Sequence, residues 1–214
     1  MLLSLALLTE RRVALYSMVD GLCLFLGFAM AFGGARGSSL DFYFPFFLFP
    51  ALFVGVPMLA DTVAVERRSG TLDLALTSPG ARFYFERRVL AVSVLLVVHG
   101  WLGVLFAHWL AEDFPFSGPF LQVVIVAAFI AAVVLNWAVH LKTAGAVMFA
   151  TYGTIALFGP WFFSNPIHPP TTLEPMDLAD SIDYAQQNLV LAAGAAVFYL
   201  YARQRLARPE RLIA

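Results

Sequence analysis

Charge is scarce in this chain: only 13% of its 214 residues are Asp, Glu, Lys or Arg, while 61% are hydrophobic. A soluble domain carries about 25% charged and about 45–50% apolar residues, and its exterior has to be largely polar. The composition therefore argues against a soluble enzyme and against disorder. The 13 basic and 14 acidic residues nearly cancel, so no net positive charge draws the chain to nucleic acid. Cys23 is the single cysteine, which rules out an internal disulfide, and no CxxC or Cys/His cluster could hold zinc. Gly-Lys-Ser/Thr and GxGxxG are also absent, so nothing here binds and hydrolyses ATP within the chain itself. What is present is apolar sequence in long runs, the mark of an integral membrane protein. At about 20 residues per spanning helix, the length accommodates about six spans with short loops.

The apolar runs place spans at 17–34, 42–63, 89–110, 119–140, 144–163 and 188–202. Residues 1–16 read as an amphipathic helix on the cytoplasmic surface, with Leu3, Leu7, Leu8 and Leu15 toward lipid. A signal peptide fits poorly, because Glu10, Arg11 and Arg12 follow the apolar stretch instead of preceding it. The run Gly33-Gly34-Ala35-Arg36-Gly37-Ser38-Ser39 closes the first span with turn chemistry. Pro45, Pro50 and Pro57 predict kinks in the second. A polar stretch over 64–88 separates the second and third spans, a second polar segment over 164–187 precedes the last, and 203–214 forms a basic tail. The expected fold is an all-α membrane bundle of six helices in one domain.

Orientation follows from Lys and Arg. With both termini cytoplasmic, Arg36 is the one member of the 13 basic residues that falls outside. The outer segments instead carry Asp41, Glu112, Asp113, Glu174, Asp177, Asp180 and Asp183. Tyr16, Tyr43, Tyr84, Trp109, Trp137 and Trp161 fall near span ends, where interfacial aromatics belong.

The cytoplasmic stretch Glu66-Arg67-Arg68-Ser69-Gly70-Thr71-Leu72-Asp73-Leu74-Ala75-Leu76-Thr77-Ser78-Pro79 is the most informative part of the chain. Ser69-Gly70 breaks the helix that leaves the membrane, and Thr71 or Gly70 can cap a new one. Asp73 sits in its first turn, where the positive end of the helix dipole favours a carboxylate. Leu72, Ala75 and Leu76 share one face, and Ser78-Pro79-Gly80 ends the helix after about two turns. So short a helix is not stable alone. It needs the bundle's own cytoplasmic face or another protein to pack against; an ordinary loop helix is the simplest account of the spacing.

This run resembles the signature of type 2 ABC-transporter permeases, and within them the gliding-motility-associated branch. Glu66, Gly70, Thr71, Leu72, Asp73 (where the family usually has Glu), Leu76, Ser78 and Pro79 match position by position. The resemblance implies a coupling helix that lies against a separate nucleotide-binding subunit, which carries the ATP and magnesium. It further implies a multi-pass subunit of the inner (plasma) membrane, surrounded by lipid, that pairs with a second permease chain, identical or related, and most often exports its substrate. The alternative is an accessory or mechanotransmitting membrane subunit of an envelope or motility complex driven by an ABC-type ATPase.

Ionisable and polar groups inside spans are functional candidates because they are costly to bury. His99, Ser93 and Asn136 are the clear polar groups away from the predicted interfaces and are the candidates for a translocation path. Each also has a structural reading: a neutral imidazole hydrogen-bonded to a neighbouring helix for His99, and a packing hydrogen bond for Asn136. Asp20 and Asp61 are expected near the headgroups, with Asp20 pairing to Arg11, Arg12 or Arg88. Ser93 is followed by no oxyanion-type motif, which argues against a serine protease. His99, His108 and His140 lie at unmatched depths, which argues against haem.

Overall fold

The computed structural model describes residues 10–32, 47–61, 81–110, 117–159 and 178–207. All secondary structure among them is helical. In chain order the helices are α1 (Glu10–Phe32), α2 (residues 47–61), α3 (Ala81–Leu110), α4 (Ser117–His140), α5 (Ala144–Leu157) and α6 (Leu178–Leu206). Several boundaries differ from the hydropathy reading, because helices continue past the apolar run that marks them. α1 passes unbroken through position 16, where a surface helix was expected to give way to a span. α3 already begins at Ala81, within the stretch read as a cytoplasmic segment, and α6 begins at Leu178, within the polar segment. α5 is described over Ala144–Leu157, and positions 160–163 of the predicted span lie outside the described residues.

α4 is the hub, with α3, α5 and α6 packed around it, whereas α1 meets the bundle mainly through α2. Its side chains explain why. Val123, Val126, Ala127, Phe129, Ile130, Val133 and Val134 are all fully buried along one broad face, while Leu121, Val124 and Ala128 on the other side, apolar as well, are exposed. A helix that is apolar all round must be surrounded, either by protein or by lipid. α3 separates those two cases. Val89, Val92, Leu96 and Val104 turn inward, while Leu90, Val94, Val98 and Leu102 form an exposed stripe at i+4 spacing. Only 33% of the apolar window Val89–Phe106 is buried, against 67% of Gly118–His140 in α4. An exposed apolar stripe of this kind marks a surface that meets lipid or another protein. Both helices are long and apolar enough to cross a membrane.

α2 shows how the prolines are absorbed. Residues 51–55 widen into a π-helical stretch after Pro50, and the Val56 N–H donates to the Ala51 carbonyl, five residues back. In that pattern the Leu52 carbonyl would accept from residue 57, but Pro57 has no N–H. The Tyr152 hydroxyl of α5 takes its place, donating to Leu52 O at 2.8 Å. Pro45 lies outside the described residues.

Two close approaches set the packing distance. A Cβ on Gly100 of α3 would lie 2.5 Å from the Phe47 ring of α2 and 2.7 Å from a Val123 methyl of α4. One on Gly194 of α6 would lie 3.0 Å from the Phe129 ring. Phe129, Phe158 and Phe198 close the α4–α5–α6 junction with ring centroids 5.0–6.2 Å apart, within the range for favourable aromatic pairs.

Candidate functional site

The helix ends sort themselves in a way that bears on orientation. Trp101 of α3 stacks on Phe120 of α4 at 5.1 Å, and its indole N–H donates to the Phe120 carbonyl at 3.2 Å. Arg87 and Leu135 share a groove farther along, so α3 and α4 are antiparallel. His140 stacks on Tyr201 at 5.5 Å, which brings the C-terminal ends of α4 and α6 together. The start of α3, the α4–α5 turn and the end of α6 therefore lie at one end of the bundle. Arg87, Lys142, Arg203 and Arg205 sit there. Tyr16 near the start of α1 donates to Asp61 Oδ2 at 2.7 Å, placing the end of α2 beside it.

Ionisable residues hold α1 to its neighbours. Tyr16 and Asp20 stand one turn apart on one face of α1: Tyr16 bonds Asp61 of α2, and Asp20 Oδ1 lies 3.3 Å from His99 Nε2 of α3. The second contact is close enough for an ion pair. Its direction is wrong for a ring N–H, however, and Nε2 has no hydrogen-bond partner. Both side chains are about 30% exposed, 30% for His99 and 28% for Asp20, so the pair lies at the edge of the bundle. Sequence reasoning placed Asp20 near the headgroups, pairing with Arg11, Arg12 or Arg88; the structure shows a contact with His99 that the sequence did not suggest. Because α1 is one continuous helix, Asp20 stands about 15 Å from its Glu10 end at 1.5 Å per residue, level with an imidazole on α3. Arg11, Arg12 and Arg88 have side chains outside the described set.

Ser93 and Asn136 have other surroundings. The Ser93 hydroxyl donates to the Val89 carbonyl one turn back at 2.7 Å, which satisfies it within its own helix. Ser93 also lines a groove between α3, α4 and α6 that His99 and Asn136 do not reach. Asn136 is 5% exposed and its Oδ1 has no partner. The bundle interior also holds Gln122, Thr151, Thr154 and Asn188, which sequence reasoning did not single out. Thr154 is well used: its hydroxyl accepts from the Trp137 indole at 2.9 Å and donates to the Ala150 carbonyl at 2.9 Å. The Trp137–Thr154 bond joins α4 to α5 in the way membrane helices use polar side chains, whereas Gln122 Oε1 and Thr151 Oγ1 are buried with no partner among the described residues. Their sequence signal was weak because an isolated Gln or Thr in an apolar run reads equally as interior or interfacial.

The groove is open to one side and has a volume of about 540 Å³. Alanines of α4 and α6 line it together with Leu90, Leu135 and Arg87. Among the described residues no group of three or more His, Cys, Asp or Glu could hold a metal ion. Cys23 is a free, buried thiol. Glu66, Gly70, Thr71, Leu72, Asp73, Leu76, Ser78 and Pro79, the residues of the predicted coupling helix, lie outside the described residues. No protein-family model matches the chain, and neither a curated protein nor a solved structure shows significant similarity to it.

Proposed function

We propose that this chain is the membrane-spanning subunit of an ABC transporter, that it spans the inner membrane six times with both termini cytoplasmic, and that it moves substrate by coupling to ATP hydrolysis on a partner. The observation that carries the reading is the run from Glu66 to Pro79, with Gly70-Thr71-Leu72-Asp73 at its centre and Ser78-Pro79 at its end. A short amphipathic helix on a loop between spans has little reason to be stable unless another surface covers its leucines. The partner carries ATP and magnesium, since this sequence has no phosphate-binding loop. Support for the orientation comes from the clustering of Arg87, Lys142, Arg203 and Arg205 at one end of the bundle, the end from which the 66–79 segment departs.

With few interior polar groups, one six-helix chain does not enclose a wide polar channel. The pathway then forms between two such chains, each bound to a nucleotide-binding subunit. His99 is the group best placed to meet a substrate, because it stands at the edge of the bundle and not in its centre. The test is purification of the tagged chain from its native membrane with identification of what comes with it. An ATP-binding-cassette subunit in equal amount supports the proposal. Its absence, together with recovery of envelope or motility components alone, would favour an accessory role.

A further inference from the structure

We propose that the groove between α3, α4 and α6 is a binding site for one anionic glycerophospholipid, with the phosphate on Arg87 and an acyl chain along the alanine lining. The inference rests on the membrane-spanning reading and is independent of any ATPase partner. Its volume of about 540 Å³ falls within the roughly 300–1,000 Å³ of small-molecule sites. Depth is the stronger argument. Arg87 precedes the apolar window Val89–Phe106 by two residues, whereas Ser93, Ala131 and Leu135 lie inside the windows of α3 and α4. The exposed guanidinium is thus at the level where headgroups meet hydrocarbon, and the lining runs from there into the bilayer. From Leu135 to Ala128 the lining extends about 10 Å along α4 at 1.5 Å per residue, most of the way through one leaflet of a hydrocarbon layer about 30 Å thick.

The chemistry matches at both ends. A guanidinium forms paired hydrogen bonds to phosphate, and alanines leave room for a flexible chain that a larger side chain would displace. Arg203, exposed one turn beyond Tyr199 of the groove, adds positive potential at the same end, which favours a net-negative headgroup over a zwitterionic one. A helix from a second copy packed into the groove would have to desolvate Arg87, a cost the lipid avoids by supplying its own counter-charge.

Native mass spectrometry of the full chain, released from nanodiscs made of phosphatidylglycerol and phosphatidylcholine in equal amounts, tests this. The chain should retain one phosphatidylglycerol in preference to phosphatidylcholine by about fivefold, the worth of one basic residue at an anionic surface. Arg87→Gln should abolish the preference while leaving helicity unchanged, and Ala131→Leu should reduce retention of both lipids. Equal retention of the two lipids by the unaltered chain would overturn the proposal, as would a preference that survives Arg87→Gln. So would a lipid-free dimer in which cysteines at position 93 cross-link. Because Arg87→Gln changes only an exposed side chain, the result stands even if Ala131→Leu fails to fold.

Discussion

Replacing Tyr152 by Phe removes a single oxygen, and the structure says what that oxygen does. Pro57 leaves the Leu52 carbonyl without a backbone donor, and the Tyr152 hydroxyl supplies one at 2.8 Å. Leu52 is 8% exposed, so no water stands ready to replace it. Leaving a buried carbonyl unpaired costs about 1–3 kcal/mol in soluble proteins. Hydrogen bonds between membrane helices average about 0.6 and reach about 1.7 kcal/mol. The expected loss for Tyr152→Phe is therefore about 1–2 kcal/mol, read as a shift in reversible unfolding by SDS in mixed micelles, followed through Trp101 and Trp137 fluorescence. The decisive step is the double-mutant cycle. Pro57→Ala gives position 57 an N–H that can reach Leu52 O, so Tyr152→Phe in that background should cost less than half as much. An equal cost in both backgrounds would refute the claim that the tyrosine answers the proline.

Gly100→Ala should destabilise by about 1–2 kcal/mol, because overpacking against Phe47 and Val123 outweighs the helix propensity gained. Gly153→Ala, where nothing lies within 4 Å of the new methyl, should be neutral or stabilising by up to about 1 kcal/mol in the same assay; matching effects at the two sites would contradict the packing described. Asp20→Ala and His99→Ala should couple by about 0.5–1 kcal/mol in a double-mutant cycle, and strict additivity would mean the pair does not hold α1. In a Cys23→Ser background, single cysteines at Ser38, Ser117 and Thr171 should react with an impermeant thiol reagent added to intact cells. Cysteines at Ser69 and Gln204 should not, and outside labelling at Ser69 would reverse the orientation.

The helices were legible because apolar runs and Gly/Pro breaks are local signals. The run 119–140 predicts α4 to within a few residues at Ser117–His140, since both ends coincide with a change in composition. The starts of α3 and α6 were not legible. Residues such as Arg82, Glu86 and Gln186 are polar yet good enough helix formers to extend a helix beyond its apolar run. Proline was read as a source of kinks in the second span but not as the reason for a hydrogen bond from α5, which joins residues 100 positions apart. The contact between Asp20 and His99 was hidden for a related reason. The arginines nearest Asp20 in sequence suggested a pairing, but its neighbour in space sits on α3, and a one-dimensional pattern carries no register between helices. The groove beside Arg87 was likewise invisible, because alanines in an apolar span look the same whether they face a helix, a lipid or a cavity.

The central claim, that the 66–79 segment docks on an ATPase subunit, is tested most directly by a photo-crosslinking amino acid placed at Leu72 or Leu76 in cells. The account predicts a covalent adduct with a subunit carrying a phosphate-binding loop from both positions and none from Ser117. It also predicts that Leu72→Asp or Leu76→Asp detaches that subunit while the bundle still inserts, because a carboxylate on the docking face would be desolvated without a partner. Adducts only with lipid or with the chain itself, or undiminished association of both aspartate variants, would contradict it.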